Sequence, residues 1–261
     1  MHITILIALL SLTHLNLGYA HTTLETCEEY HVTFDGSELA SESFDSHFIT
    51  ISPAKSYALT NNGLEIYLHK PEGHVTTSNG TNDKLGDGAT IHSTFTLFHG
   101  KVTFKIESPA LPGAIVAVIL IGDTSNDEID IEYICSEPHT WQTNVFVTDP
   151  REPEPEYGVF STKENVDSIT VLHEYSIEVT SESISWSLDR NVVRRLLKSE
   201  CTRNGFSHYP SHSMRLQIGI WDASEHAGTA EWAGGPINWK KEPADKVMAT
   251  IKSINVECSS G

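Results

Sequence analysis

No run of Lys or Arg interrupts this 261-residue chain, whose 17 basic residues are outnumbered by 35 acidic ones for a formal net charge of −18. That balance excludes the phosphate binding on which nucleic-acid proteins depend, and equally an electrostatic hold on anionic membranes. No apolar stretch approaches the ~20 residues that a spanning helix needs. The internal run AIVAVILI (114–121) is of strand length, and no window of eleven or more residues carries a 3.6-residue apolar period, so a helical bundle is excluded too. No internal repeat or Pro/Gly/Ser-rich linker divides the chain. The four cysteines contain no C-x-x-C pair and the fourteen histidines no H-E-x-x-H spacing, so neither a metal site nor a cofactor is expected.

The first twenty residues, MHITILIALLSLTHLNLGYA, carry a short apolar stretch from Ile3 to Leu10 and end in Gly18-Tyr19-Ala20. Small residues at the −3 and −1 positions make residues 1–20 a secretory signal peptide, although no Lys or Arg precedes the apolar stretch. The sequence ends in VECSSG with no hydrophobic tail, so no lipid anchor is expected and the mature chain is expected to be secreted. Residues 21–261 then form a single domain, large enough for a substantial core, and a monomer is expected. DPREPEPEY (149–157) reads as an exposed loop within it. After a signal peptide, Cys27, Cys135, Cys201 and Cys258 predict two disulfides, with three possible pairings. Asn79-Gly80-Thr81 is a glycosylation sequon in a polar loop.

Period-two alternation recurs in LEIYLH (64–69), TIHSTFTLF (90–98), KVTFKIE (101–107), EYSIEV (174–179), SISWSLD (183–189), MRLQIGIW (214–221) and ATIKSINVE (249–257). These segments predict strands, and AIVAVILI one buried on both faces. The fold class is therefore all-β, a sandwich of two antiparallel sheets. In a jelly roll, one sheet would curve and offer a concave face to an extended ligand.

DEIDIEYI (127–134) places Glu128, Asp130 and Glu132 on one face of a strand and Ile129, Ile131 and Tyr133 on the other. Read alone, such alternation also suits a solvated sheet face. Crowded carboxylates disfavour each other's ionised forms, which raises at least one pKa and sets a protonated acid beside an ionised base or nucleophile. MRLQIGIW leaves Arg215, Gln217, Gly219 and Trp221 opposite a core-facing set of Met214, Leu216, Ile218 and Ile220. WQTNVF (141–146) puts Gln142 and Asn144 on one face, and WAGGPINW (232–239) adds two tryptophans between glycines. Aromatic faces beside amide and guanidinium donors suit sugar rings, so the substrate class read here is carbohydrate.

With GATIHSTFTLFHGKVTFKIES, DEIDIEYI, WQTNVF and MRLQIGIWDASEHAGTAEWAGGPINW, the chain resembles glycoside hydrolase family 16 and, within it, the fungal Crh-type cell-wall transglycosylases. These stretches span roughly residues 88–239. The resemblance implies a concanavalin-like β-jelly roll with a concave sugar-binding face, and one catalytic domain over residues 21–261. It implies a retaining double displacement in which Glu128 is the nucleophile, Glu132 the acid and then base, and Asp130 a supporting group. The Cα atoms of Glu128 and Glu132 lie about 13 Å apart on a straight strand, a gap their long side chains must largely close. It also implies substrate contacts from Gln142, Asn144, Arg215, Trp221, Thr229 and Trp232, a chitin donor, and chitin or β-glucan acceptors. Two departures bear on substrate preference: Ile131 stands where an aromatic is common, and WDASEHAG replaces a W-P-G-G turn. A secreted β-glucanase- or chitinase-type hydrolase and a non-catalytic lectin on the same sandwich are the alternatives. The lectin has no use for a repelling acid pair, and the extra residue of E-x-D-x-x-E, frequent in the glucanases, is absent.

Overall fold

The computed structural model describes residues 27–122, 125–149, 151, 158–242 and 244–259. The segment expected to be a signal peptide and most of DPREPEPEY lie outside these residues. Alternating apolar residues produce two eight-stranded antiparallel sheets, as expected.

The sheet that carries the carboxylates runs β12 (Gly158–Val159), β11 (Thr140–Val147), β10 (Glu128–Ile134), β9 (Ala114–Gly122), β19 (Met214–Asp222), β7 (Ala89–Ser93) and β2 (Phe48–Thr50), with β13 (Thr162–Asn165) also on β11. The second sheet runs β16 (Asn191–Leu197), β15 (Ser183–Leu188), β14 (His173–Val179), β8 (Gly100–Glu107), β20 (Lys246–Cys258), β4 (Gly63–His69) and β3 (Tyr57–Thr60), with β1 (Tyr30–Thr33) on β20. Sequence neighbours are often spatially remote: β19 pairs with β9, and β20 inserts between β8 and β4. Two short hairpins, β5 (Thr77–Ser78) with β6 (Thr81–Asn82) and β17 (Thr202–Arg203) with β18 (Phe206–Ser207), decorate the sandwich.

Between the sheets lies a continuous apolar core that includes Trp186, Trp141, Tyr133, Phe104, Ile131 and Ile218. Strand β19 alternates buried and half-buried along its whole length, with Met214, Leu216, Ile218 and Ile220 inward as the pattern predicts. AIVAVILI is buried on both faces except at Ile119 and Ile121.

The structure departs from the sequence reading in three places. Helix α1 (Glu38–His47) is a ten-residue amphipathic segment whose Ala40 and Phe44 are buried and whose Ser37 caps the Ala40 amide at 3.2 Å. Its apolar stripe is too short to register as a period. The segment 90–98 is strand only to Ser93, although Phe95 and Leu97 still reach the core. The third concerns the cysteines: a disulfide joins Cys27 to Cys258, but Cys135 and Cys201 are buried free thiols, so the expected second bridge is absent. Cys135 follows β10 on one sheet while Cys201 follows β16 on the other. Burial pushes both thiols up to about 11, and they behave as small apolar residues. The one bridge ties β20 to the residues before β1 and closes a loop of 231 residues, which the chain-entropy model values at roughly 5 kcal/mol.

Asn79 lies exposed in the turn of the β5–β6 hairpin, where Asn79 (φ 51) and Gly80 (φ 79) are both left-handed, as a two-residue hairpin of this twist requires. Among the described residues no helix is long and apolar enough to cross a membrane.

Candidate active site

Strand β10 anchors itself through its inward side chains. Ile129, Ile131 and Tyr133 are fully buried, and Tyr133 meets Tyr175 edge-on at 5.1 Å. Alternation then obliges Glu128, Asp130 and Glu132 to face outward together. Antiparallel register sets their neighbours. Glu128 lies between Phe146 and Ile121, Asp130 between Asn144 and Ile119, and Glu132 between Gln142 and Ala117. One strand further, Arg215 joins the row of Glu128, Gln217 that of Asp130, and Gly219 that of Glu132. Ala117 and Gly219 leave the floor beside Glu132 low, and a Cβ added at Gly219 would approach the Ala89 carbonyl to 2.9 Å.

Asp130 is only 1% exposed, although it sits on the outer face, because its two glutamate neighbours and Asn144 cover it. Burial, then the charges of Glu128 and Glu132, push its pKa well above the ordinary aspartate value. Glu128 is raised mainly by burial, and its hydrogen bond with Asp130 works the other way. The same bond raises Asp130, so within this pair the proton is favoured on Asp130 over Glu128. The other oxygen, Asp130 Oδ1, has no hydrogen-bond partner among the described residues, as suits a neutral acid better than a carboxylate. Glu132 is pushed up to about 7 by burial and then by the charge of Glu128, while the amide of Asn144, donating to its Oε2 at 2.6 Å, opposes the shift. The strand thus offers a Glu132 that keeps its proton to about pH 7, with Glu128 and a more strongly raised Asp130 on the same face.

One row beyond Glu132, Trp221 stacks on Trp232, from helix α2 (Ala227–Trp232), with ring centroids 6.3 Å apart and planes 24° from parallel. Trp232 Nε1 donates to Gln142 Oε1 at 3.3 Å, and Ile115, Ile134, Ala223 and Ala233 pack beneath the pair. Next along β19, the Asp222 carboxylate accepts hydrogen bonds from Gly86 N, Ser224 N and Trp239 Nε1, which fixes the strands' exit into α2. Trp239, in the segment WAGGPINW, is therefore an internal support.

Of the residues read from the sequence, Glu128, Asp130, Glu132, Gln142 and Asn144 are neighbours across β10 and β11, and Trp221 and Trp232 form a platform touching Gln142. Asn144 grips Glu132 itself. Arg215 reaches the Glu128 row but donates to the Ser93 carbonyl at 2.8 Å. Thr229 lies on α2, largely buried. Sequence reasoning missed two residues of the second sheet: Trp186, whose indole donates to the Asp130 carbonyl at 3.3 Å, and Arg194, which holds Thr143. No local pattern announces either, because both act across the sandwich. No group of His, Cys, Asp and Glu suited to a metal ion occurs among the described residues.

The family model for glycosyl hydrolases family 16 matches residues 44–241. Crh-like protein 2 of Aspergillus fumigatus is 33% identical over 187 residues, which cover 68% of this chain and 41% of that protein. Crh-like protein 4 of Botryotinia fuckeliana is 35% identical over 176 residues, covering 64% and 44%. The chain spans less than half the length of these curated relatives. Among solved structures, a Crh5 transglycosylase in complex with NAG superposes with a TM-score of 0.70 at 23% identity, covering 90% of this chain and 85% of that one. The laminarinase catalytic domain of Thermotoga maritima superposes with a TM-score of 0.68 at 15% identity, covering 91% of this chain and 100% of that one. At these identities the likeness establishes the jelly-roll fold.

Proposed function

This chain belongs to glycosyl hydrolase family 16, and from that premise we propose that it is a retaining glycan transglycosylase of the cell wall. The observation that carries the proposal is the arrangement on β10: Glu128, Asp130 and Glu132 share one face, Asn144 donates to Glu132 at 2.6 Å, and burial with mutual repulsion raises Glu132 to about 7.

In the first step Glu128 attacks the anomeric carbon of the donor. Glu132 gives its proton to the departing glycosidic oxygen, and a glycosyl ester forms on Glu128. In the second step Glu132, now a carboxylate, takes the proton of an acceptor hydroxyl, whose oxygen displaces Glu128 from the same carbon. Asp130 steadies Glu128 as it loses and regains charge. The Trp221–Trp232 platform and the Gln142 amide hold sugar rings in the row next to Glu132. A β-1,4-linked chitin donor, with chitin or β-glucan as acceptor, fits the Crh-like relatives, and an extracellular or cell-wall location follows from such substrates.

Hydrolysis uses the same first step, with water in place of the acceptor. The test is to incubate the protein with a chito-oligosaccharide, with and without a fluorescent laminari-oligosaccharide, and to identify products by mass spectrometry, with Glu128→Gln as control. Longer or mixed oligosaccharides made only by the wild type are expected. Shorter products alone would mean a hydrolase, and unchanged donor bound by both proteins would mean a lectin.

A further inference from the structure

Beneath the site a polar contact crosses from one sheet to the other. The Arg194 guanidinium, on β16, lies 4.4 Å over the ring of Trp186 and donates through one nitrogen to Thr143 O and Thr143 Oγ1, each at 2.6 Å. Its second terminal nitrogen donates to Phe160 O at 2.8 Å. Phe160 is itself paired to Val145 of β11 through both main-chain groups. The fork therefore grips β11 and the segment beside it at once. Trp186, under the guanidinium, donates to the Asp130 carbonyl on β10.

We propose that Arg194 and Trp186 are positioning residues for the acid/base step, a brace that sets β11 against β10 and so holds Asn144 on Glu132. The inference rests on the reading of Glu128 and Glu132 as the acting pair. Thr143 is fully buried between Gln142 and Asn144, so fixing it on the inner face fixes both neighbours on the outer one. The acceptors of the guanidinium are neutral oxygens, and burial holds its pKa below the usual arginine value. Such a group costs desolvation that an apolar residue of similar volume would avoid. In return it supplies direction, because the planar fork fixes several donors at once, whereas packing alone lets strands slide by fractions of an ångström. The bond at stake, Asn144 to Glu132, is short and tunes the acid downward.

Arg194→Met keeps much of the volume and removes the fork. With the brace gone, the expected result is a kcat about tenfold lower with a smaller, roughly twofold rise in KM, since Gln142 remains tied to Trp232. The basic limb of the pH–rate profile should also move up by about one unit, since Glu132 loses a hydrogen bond that favours its ionised form. Arg194→Lys, which supplies a single donor point, should recover part of both effects. Thr143→Val removes one acceptor with little change of shape and gives the same displacement in milder form if Arg194→Met fails to fold. A merely structural brace would lower Tm while leaving kcat per folded molecule and the pH profile in place. Carboxyl titration of Glu132 by ¹³C NMR needs no substrate and separates the two readings. If the wild type turns over no glycan but the variants still displace that titration, the brace stands and the proposed function falls. Unchanged titration in folded Arg194→Met and Thr143→Val would overturn the brace, whatever the activity.

Discussion

Where β14 begins, Asp167, Glu174 and Asp189 gather around basic partners, and they are treated in the opposite way to Glu128, Asp130 and Glu132 on β10. His173 sits between Asp167 and Asp189, at 2.5 and 2.8 Å, and Glu174 meets Lys105 and Arg190 at 3.7 and 3.3 Å. Asp167 is held below the ordinary aspartate range by the Ser168 backbone amide and by His173. These acids are compensated and face water, so they do no more than knit strands. On β10 the named donor is a neutral amide, burial is nearly complete for Asp130, and every pKa moves up. The difference lies in compensation, not in the number of carboxylates. A cation within reach would return the β10 trio to the ordinary range and leave no acid near neutrality.

The contrast can be broken most severely at its centre. Glu128→Gln should lower turnover roughly 10⁴-fold or more, while thermal unfolding shows Tm unchanged or raised, because a buried repulsion is relieved. Next in size is a stability effect with a definite sign. The folded-state pKa of Glu132, about 7, is raised above its unfolded value, so the stability it contributes is complete below about pH 4.5 and is lost as pH rises through 7. The loss is on the order of 3 kcal/mol, and denaturant unfolding of Glu132→Gln should lack that decline. Asp167 predicts the reverse sign, with its contribution lost only as pH falls through its lowered pKa. Trp232→Phe, which keeps an aromatic face but loses the bond to Gln142, should raise KM roughly fivefold with kcat little changed in steady-state assays. Smallest of all, Asp189→Asn should lower Tm by about 1–3 °C and leave activity intact, since Asp189 itself is half exposed and the substitution keeps a hydrogen-bonding group beside His173.

What could be read from the sequence follows the same division between local and remote causes. Glu128, Asp130 and Glu132 declare themselves because period-two alternation is a property of one strand, and β19 gave up Trp221 and its inward isoleucines for the same reason. Gln142 and Asn144 were legible as a face, but their register against Glu132 and Asp130 is set by pairing, and the Asn144–Glu132 bond appears only once β11 lies beside β10. Cysteine spacing suggested two bridges where one forms, since whether two thiols meet depends on which sheet each joins. Arg194 and Trp186 come from the partner sheet, more than fifty residues along the chain, and helix α1 has too few turns to show a period.

Protons are divided unequally along β10, and ¹³C NMR titration of the Asp and Glu carboxyls in the free protein reads that division site by site. Glu132 should titrate near pH 7, Asp130 should hold its proton well above the ordinary aspartate range, and Glu128→Gln should lower both transitions. Three transitions at ordinary carboxylate values, indifferent to Glu128→Gln, would contradict it.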